Sequence, residues 1–216
     1  MKRTTILLSS LLVLAACEDH TEGVAAATTA PATATPAAAT APTTQRQTLT
    51  IDRAASTVGF TGAKVTASHD GSFSDFSGTI ELDPASVTAS SVRVQIQMAS
   101  MSIEPAQLSE HLASPELLDF AQFPTSTFES TTITEGATGQ VGDRPGTHTI
   151  TGNLTMHGQT RAISFPAIVE VTDGAVTADS QFTVNRRDFG IVYPGMPDDL
   201  IADGVVIRFH VRAPRS

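Results

Sequence analysis

Residues 163–184, ISFPAIVEVTDGAVTADSQFTV, hold two runs of alternating side chains around one turn signal. Ile163, Phe165, Ala167, Val169 and Val171 share one face of the first run. Val176, Ala178, Ser180, Phe182 and Val184 share one face of the second. A period of two is the signature of a half-buried strand, and Asp173-Gly174 between the runs is a hairpin turn. The stretch therefore predicts an antiparallel pair with one dry and one wet face.

The same alternation recurs in both directions. Phe76, Gly78, Ile80 and Leu82 oppose Asp75, Ser77, Thr79 and Glu81, and Val92, Val94, Ile96 and Met98 oppose Arg93, Gln95 and Gln97. His148, Ile150, Gly152, Leu154 and Met156 form another row. A last row of Val205, Ile207, Phe209 and Val211 faces away from Arg208, His210 and Arg212. With segments near 48–51, 57–61 and 125–132, roughly eight strands are expected. One-sided strands need a sandwich or a closed barrel, and a barrel of this size either encloses one small ligand or fills itself with side chains. Periodicity leaves both open. The one helical candidate is 105–120, where Leu108, Leu112, Leu117 and Leu118 supply apolar contacts and Pro115 divides the run.

The chain begins MKRTTILLSSLLVLAAC. Lys2 and Arg3 precede an apolar stretch, Ile6 to Leu14, too short to span a bilayer, followed by Leu14-Ala15-Ala16-Cys17. This order reads as an export signal over residues 1–16. Leu-Ala-Ala-Cys resembles the bacterial lipoprotein processing motif, which makes Cys17 the expected lipidation site and the membrane a partner through that anchor. Cys17 is the only cysteine, so an intramolecular disulfide is excluded. Residues 24–44 are almost entirely Ala and Thr with Pro31, Pro36 and Pro42, and the expectation for 17–46 is a lipidated terminus and a disordered tether. The expected folded domain is 47–216. A formal charge of −9 over 216 residues argues against nucleic acid as an electrostatic partner and is silent about an apolar ligand.

Several blocks, in order, carry a family resemblance: STVGF at 56–60, GSFSDFSGTI at 71–80, FPTSTF at 123–128, GNLTMHGQT at 152–160 and RDFGI at 187–191. Over about residues 47–212 they resemble the YceI-like family. The resemblance implies an all-β fold, an extended eight-stranded antiparallel lipocalin-like barrel with a short helical segment. Its apolar interior would hold a polyisoprenoid or an isoprenoid quinone, in a protein exported to the bacterial periplasm. The ligand is then an isoprenoid lipid bound in the cell envelope; no cofactor is required, and a protein partner is unspecified. Together with local alternation, the resemblance makes Phe60, Phe76, Ile80, Phe128, Leu154, Met156, Phe165, Phe182 and Phe189 candidate pocket-lining residues. Ordinary core packing is the alternative for each.

Candidates for a polar rim are His111, His157, Arg187 and Asp188. His111-Leu112 resembles the family's His-Leu pair, but Leu108-Ser109-Glu110 replaces the usual arginine-aspartate before it, and Leu117-Leu118 replaces an aromatic pair. His69 in KVTASH matches a family histidine only with shifted spacing. His157 either orients a ligand head or bonds a turn carbonyl; Arg187 and Asp188 either pair at a rim or fix a turn.

No histidine spacing fits a zinc site, and no Gly-x-Ser-x-Gly elbow, Walker loop or dinucleotide fingerprint occurs. Asp198-Asp199 lies in a Pro- and Gly-rich loop where exposure is the default. The expectation is a binding protein and not an enzyme, with no metal site; the competing reading is an envelope interaction module that holds no lipid.

Overall fold

The computed structural model describes residues 20–33 and 46–215. The signal segment, Cys17 and residues 34–45 of the tether lie outside them. The strands are β1 (Thr28–Pro31), β2 (Gln47–Thr50), β3 (Thr57–Lys64), β4 (Ala67–Phe73), β5 (Phe76–Leu82), β6 (Ser91–Gln97), β7 (Met101–Ile103) and β8 (Thr125–Glu135). They continue with β9 (Gln140–Val141), β10 (Arg144–Pro145), β11 (His148–Met156), β12 (Gln159–Val171), β13 (Ala175–Asn185), β14 (Gly195–Met196), β15 (Asp199–Leu200) and β16 (Gly204–Pro214). One α-helix, α1 (Ala106–Ala113), is present among the described residues.

The fold is all-β with one short helix, a strongly curled antiparallel sheet in the order β2-β5-β6-β8-β11-β12-β13-β16-β3-β4-β7. The sheet has twelve strands where roughly eight were expected. Strands β1, β4 and β7 fall outside the segments that alternation marks, and three runs of chain bend to supply two strands each. Thus β2 and β3 flank a 3-10 turn at Arg53–Ala55, β4 and β5 flank Ser74-Asp75, and β6 and β7 flank a 3-10 turn at Met98–Ser100. Consecutive β2 and β3 pair with β5 and β16 respectively, and the Asp52 N–H donates to the Arg212 carbonyl at 2.8 Å. One bent run thereby connects the β2 margin to the β16–β3 side of the curl.

The end carrying the 65–66, 157–158 and 186–203 connections is here the lower end; the end carrying 83–90, 136–147 and 172–174 is the upper. At the upper end β12 and β13 are joined through Thr172-Asp173-Gly174, as the turn signal predicts. At the lower end α1 stops before Pro115, so the 105–120 region is one helix followed by turns.

Strand β1 was not expected. It lies in the stretch read as a tether, yet pairs antiparallel with β12 from Thr28↔Ser164 to Pro31↔Arg161. On its other side Ala27 donates to the Thr183 carbonyl and Thr183 donates to the Ala25 carbonyl, at 2.8 and 2.9 Å. The reason is a slot: β12 and β13 pair only over Ile168–Val171 and Val176–Asp179. Pro166 has no N–H to continue the ladder, and its carbonyl accepts from the buried Ser180 hydroxyl at 2.6 Å. Below that point the strands part and β1 satisfies their open edges, which orders a segment that has no large apolar side chain to bury.

Candidate functional site

The inward rows of the sheet surround a cavity of about 360 Å³. It lies at the small end of the range for ligand sites, about 300–1,000 Å³. The interior is therefore not filled by side chains alone. Its middle is aromatic: Phe165 and Phe182 stack at 4.2 Å and 11°, with Phe209 edge-on to Phe165 at 5.9 Å and Phe128 tilted against it at 5.5 Å. Towards the upper end the wall is aliphatic, formed by Leu82, Val92, Val171 and Val176 with the hydroxyls of Ser90 and Ser91. At the lower end Leu108 and Leu112 of α1, with Leu117, cover it.

Seven of the nine candidate lining residues are in the wall: Phe60, Ile80, Phe128, Leu154, Met156, Phe165 and Phe182. Two are not. Phe76 follows the bend at Ser74-Asp75 and packs with Ile51, Val58 and Val211 in a separate cluster. Phe189 sits in the 3-10 turn Arg186–Phe189, has no solvent exposure and packs in the main core beneath the cavity. Both are core residues.

The four rim candidates do not line the cavity. His157 and Gly158 form the two-residue turn between β11 and β12, both with positive φ (50° and 70°), as a primed hairpin turn requires. The His157 ring donates through Nδ1 to the Phe189 carbonyl at 3.2 Å and meets Phe123 edge-on at 4.6 Å, so it fixes the turn. His111 is on the exposed side of α1, with its ring 5.5 Å from Tyr193. Arg187 does not pair with Asp188; its Nε donates to Asp203 at 2.6 Å, while the Asp188 carbonyl accepts from Arg161 at 3.0 Å.

Three other groups are the titratable side chains on the described wall: Lys64, His69 and Arg186. All are at the lower end, and no Asp or Glu joins them in the wall. Arg186 is 3% exposed. Its guanidinium donates to the carbonyls of Ala202, Ile191 and Ile201 at 3.0, 2.7 and 3.2 Å and lies 3.3 Å from Asp203. Burial pulls its pKa below the ordinary arginine value, and the Asp203 carboxylate opposes that. Lys64 donates to Asp199 and to the Thr66 hydroxyl. That contact, with hydrogen bonds from Thr66, holds the Asp199 carboxyl below the usual carboxylate range. His69 donates through Nδ1 to the Glu104 carbonyl at 3.0 Å; in the neutral ring this leaves Nε2 as an acceptor.

The signal for these groups was parity. Val58, Phe60, Gly62 and Lys64 are one row of β3, and Phe182, Val184 and Arg186 continue one row past the end of β13. His69 shares the row of Gly71 and Phe73 in β4. The β4 row was hidden because Gly71 leaves room for the Phe60 ring, which a Cβ there would meet at 2.3 Å.

A YceI-like domain model matches residues 49–213. The chain belongs to the YceI-like family. It is 36% identical over 131 residues to a UPF0312 protein of Pseudomonas putida, covering 58% of this chain and 65% of that one. A UPF0312 protein of Pseudomonas savastanoi is 32% identical over 135 residues with the same coverage, so the alignments span slightly less than two thirds of these relatives. Among solved structures, Burkholderia cenocepacia BcnA has a TM-score of 0.65 at 24% identity, covering 76% of this chain and 99% of that one. A polyisoprenoid-binding domain from Saccharophagus degradans has a TM-score of 0.59 at 12% identity, covering 77% and 98%. At these identities the structural likeness shows the fold of the YceI-like chain. Among its described residues no helix is long and apolar enough to cross a membrane, and no three metal-binding side chains are grouped to hold an ion.

Proposed function

We propose that this YceI-like protein binds one amphiphilic isoprenoid lipid or quinone and carries or stores it in the cell envelope, tethered through a lipidated Cys17. The observation that carries the reading is the cavity's polarity: aliphatic at the upper end, aromatic in the middle, with Lys64, His69 and Arg186 together at the lower end. Such a wall orients an amphiphile. The tail lies along Phe165 and Phe182 towards Leu82 and Val176, and the head meets His69, whose Nε2 accepts from a hydroxyl or phenol. Each buried CH₂ contributes about 0.8 kcal/mol before the cost of ordering the tail. Family membership and the fold shared with a polyisoprenoid-binding domain support the same ligand class. The cavity's modest volume favours a short tail, or a longer one enclosed only in part.

The test is mild extraction from cell membranes followed by native mass spectrometry. One lipid of isoprenoid mass per chain is expected; protein that is uniformly empty when extracted without delipidating detergent overturns the reading.

A further inference from the structure

Among the described residues, four large apolar side chains stand out in solvent: Val65, Val192, Met196 and Leu200, at 67, 60, 62 and 50% exposure. All are at the lower end. The Val65 N–H donates to the Leu200 carbonyl at 3.1 Å, and Met196 and Asp199 pair across the β14–β15 hairpin, so the 65–66 turn and the hairpin are one unit. Val192 enters the same loop beside Tyr193. The unit is continuous with the cavity, because Lys64 and Ile201, which flank Val65 and Leu200, both line it.

A second observation bears on what covers this patch. His20 donates through Nε2 to the Gly204 carbonyl at 2.9 Å, at the start of β16 and hence at the same end. Cys17 is three residues earlier, and three residues reach at most about 10 Å. An acylated Cys17 would thus enter the membrane beside the exposed apolar side chains, and no long tether separates the two.

We propose that the lower end docks on a lipid bilayer, with Val65, Val192, Met196 and Leu200 inserted at the interface and the Lys64, His69 and Arg186 end of the cavity facing the membrane. The proposal rests on the ligand reading above and adds where the lipid enters. The charges around the patch largely cancel: Asp199 pairs with Lys64 and Asp203 with Arg186 and Arg187, while Glu104, Asp188 and Asp198 are balanced in part by Arg161. Docking is therefore driven by apolar insertion into a zwitterionic surface, without attraction to anionic headgroups, and is insensitive to salt.

The chain supplies its own probe. Tyr193 is its only tyrosine and there is no tryptophan, so intrinsic emission reports on this loop alone. Full chain recovered from membranes is bound to vesicles of ordinary or brominated phosphatidylcholine. The expected result is loss of Tyr193 emission on brominated vesicles, unchanged by salt and restored in a Val65→Ser, Met196→Ser, Leu200→Ser variant. Equal emission on both vesicles, or quenching of the triple variant as strong as that of the parent, overturns docking. The same preparations are weighed for retained lipid: lipid present without quenching leaves the binding reading standing and removes this one, and quenching of an empty protein does the reverse.

Discussion

At the upper end of the cavity, Leu82, Val171 and Val176 meet below a three-residue turn, and the wall there offers a ligand only hydrocarbon and two serine hydroxyls. At the lower end the chain spends a helix, two hairpins and a 3-10 turn, and places there every titratable group of the described wall. The upper end is closed by one short turn and by two longer connections, 83–90 and 136–147, that bring no titratable group into the wall. The lower end needs buried polar groups, each of which must be satisfied. The contrast teaches that one end is lined by hydrocarbon and the other is built to meet a polar group.

Arg186→Met tests the lower end most severely. The substitution keeps volume but leaves the Ala202, Ile191 and Ile201 carbonyls without their donor. A loss of roughly 3 kcal/mol in urea unfolding is expected. A loss below about 1 kcal/mol would mean that those carbonyls find water and that the end is open. The matching change at the upper end is Ala178→Leu, which fills the wall beside Val176 and Val211 at about 1–3 kcal/mol of overpacking. Retained lipid should shift to shorter chains, while His69→Phe should leave chain length alone and lower retention of hydroxyl-bearing heads. If both variants change chain length equally, the cavity has no direction.

A smaller effect separates β1 from the rest of the wall. Ala27→Pro removes the N–H that bonds to Thr183 and should cost about 1 kcal/mol, with faster amide exchange at Thr183 and none at Thr177. Smallest is the pH response of the Lys64–Asp199 clamp. The Asp199 pKa is lowered in the fold, so the unfolded chain binds the proton first as pH falls. The clamp's contribution is complete above the ordinary carboxylate value of 3.8 and is lost as pH drops through the lowered folded value. The Thr66 amide, which donates to Asp199 at 3.1 Å, should titrate by NMR with a midpoint below 3.8. A midpoint at or above it would show that the clamp does not form.

Where a strand carried large side chains on one face, the sequence made it readable: β5, β6, β11, β12, β13 and β16 all lie where alternation places them. Strand β4 was obscure because its inward row is Ala67, His69, Gly71 and Phe73, and its packing is supplied by the Phe60 ring from next door. Strand β1 has nothing to bury; its reason for order is the slot that Pro166 opens 135 positions further on, which no local pattern records. The rim was sought at conspicuous motif histidines and at Arg187-Asp188, whereas the row of Phe182 and Val184 points to Arg186. His157 is conspicuous for its turn geometry, and Phe189 for its burial.

Among the described strands β1 comes first in the chain, yet its partners β12 and β13 come late in it. Its slot exists only once β12 and β13 are in position, and its flanks bond across 120 residues at Thr33–Asn153 and 184 at His20–Gly204. Contacts so distant in sequence close slowly, because the intervening chain must be ordered before they can form. The bent run of β2 and β3 imposes the same delay, since β3 pairs with β16, the last of the described strands. A growing chain therefore has no finished wall before β16 is in place beside β3 and β13.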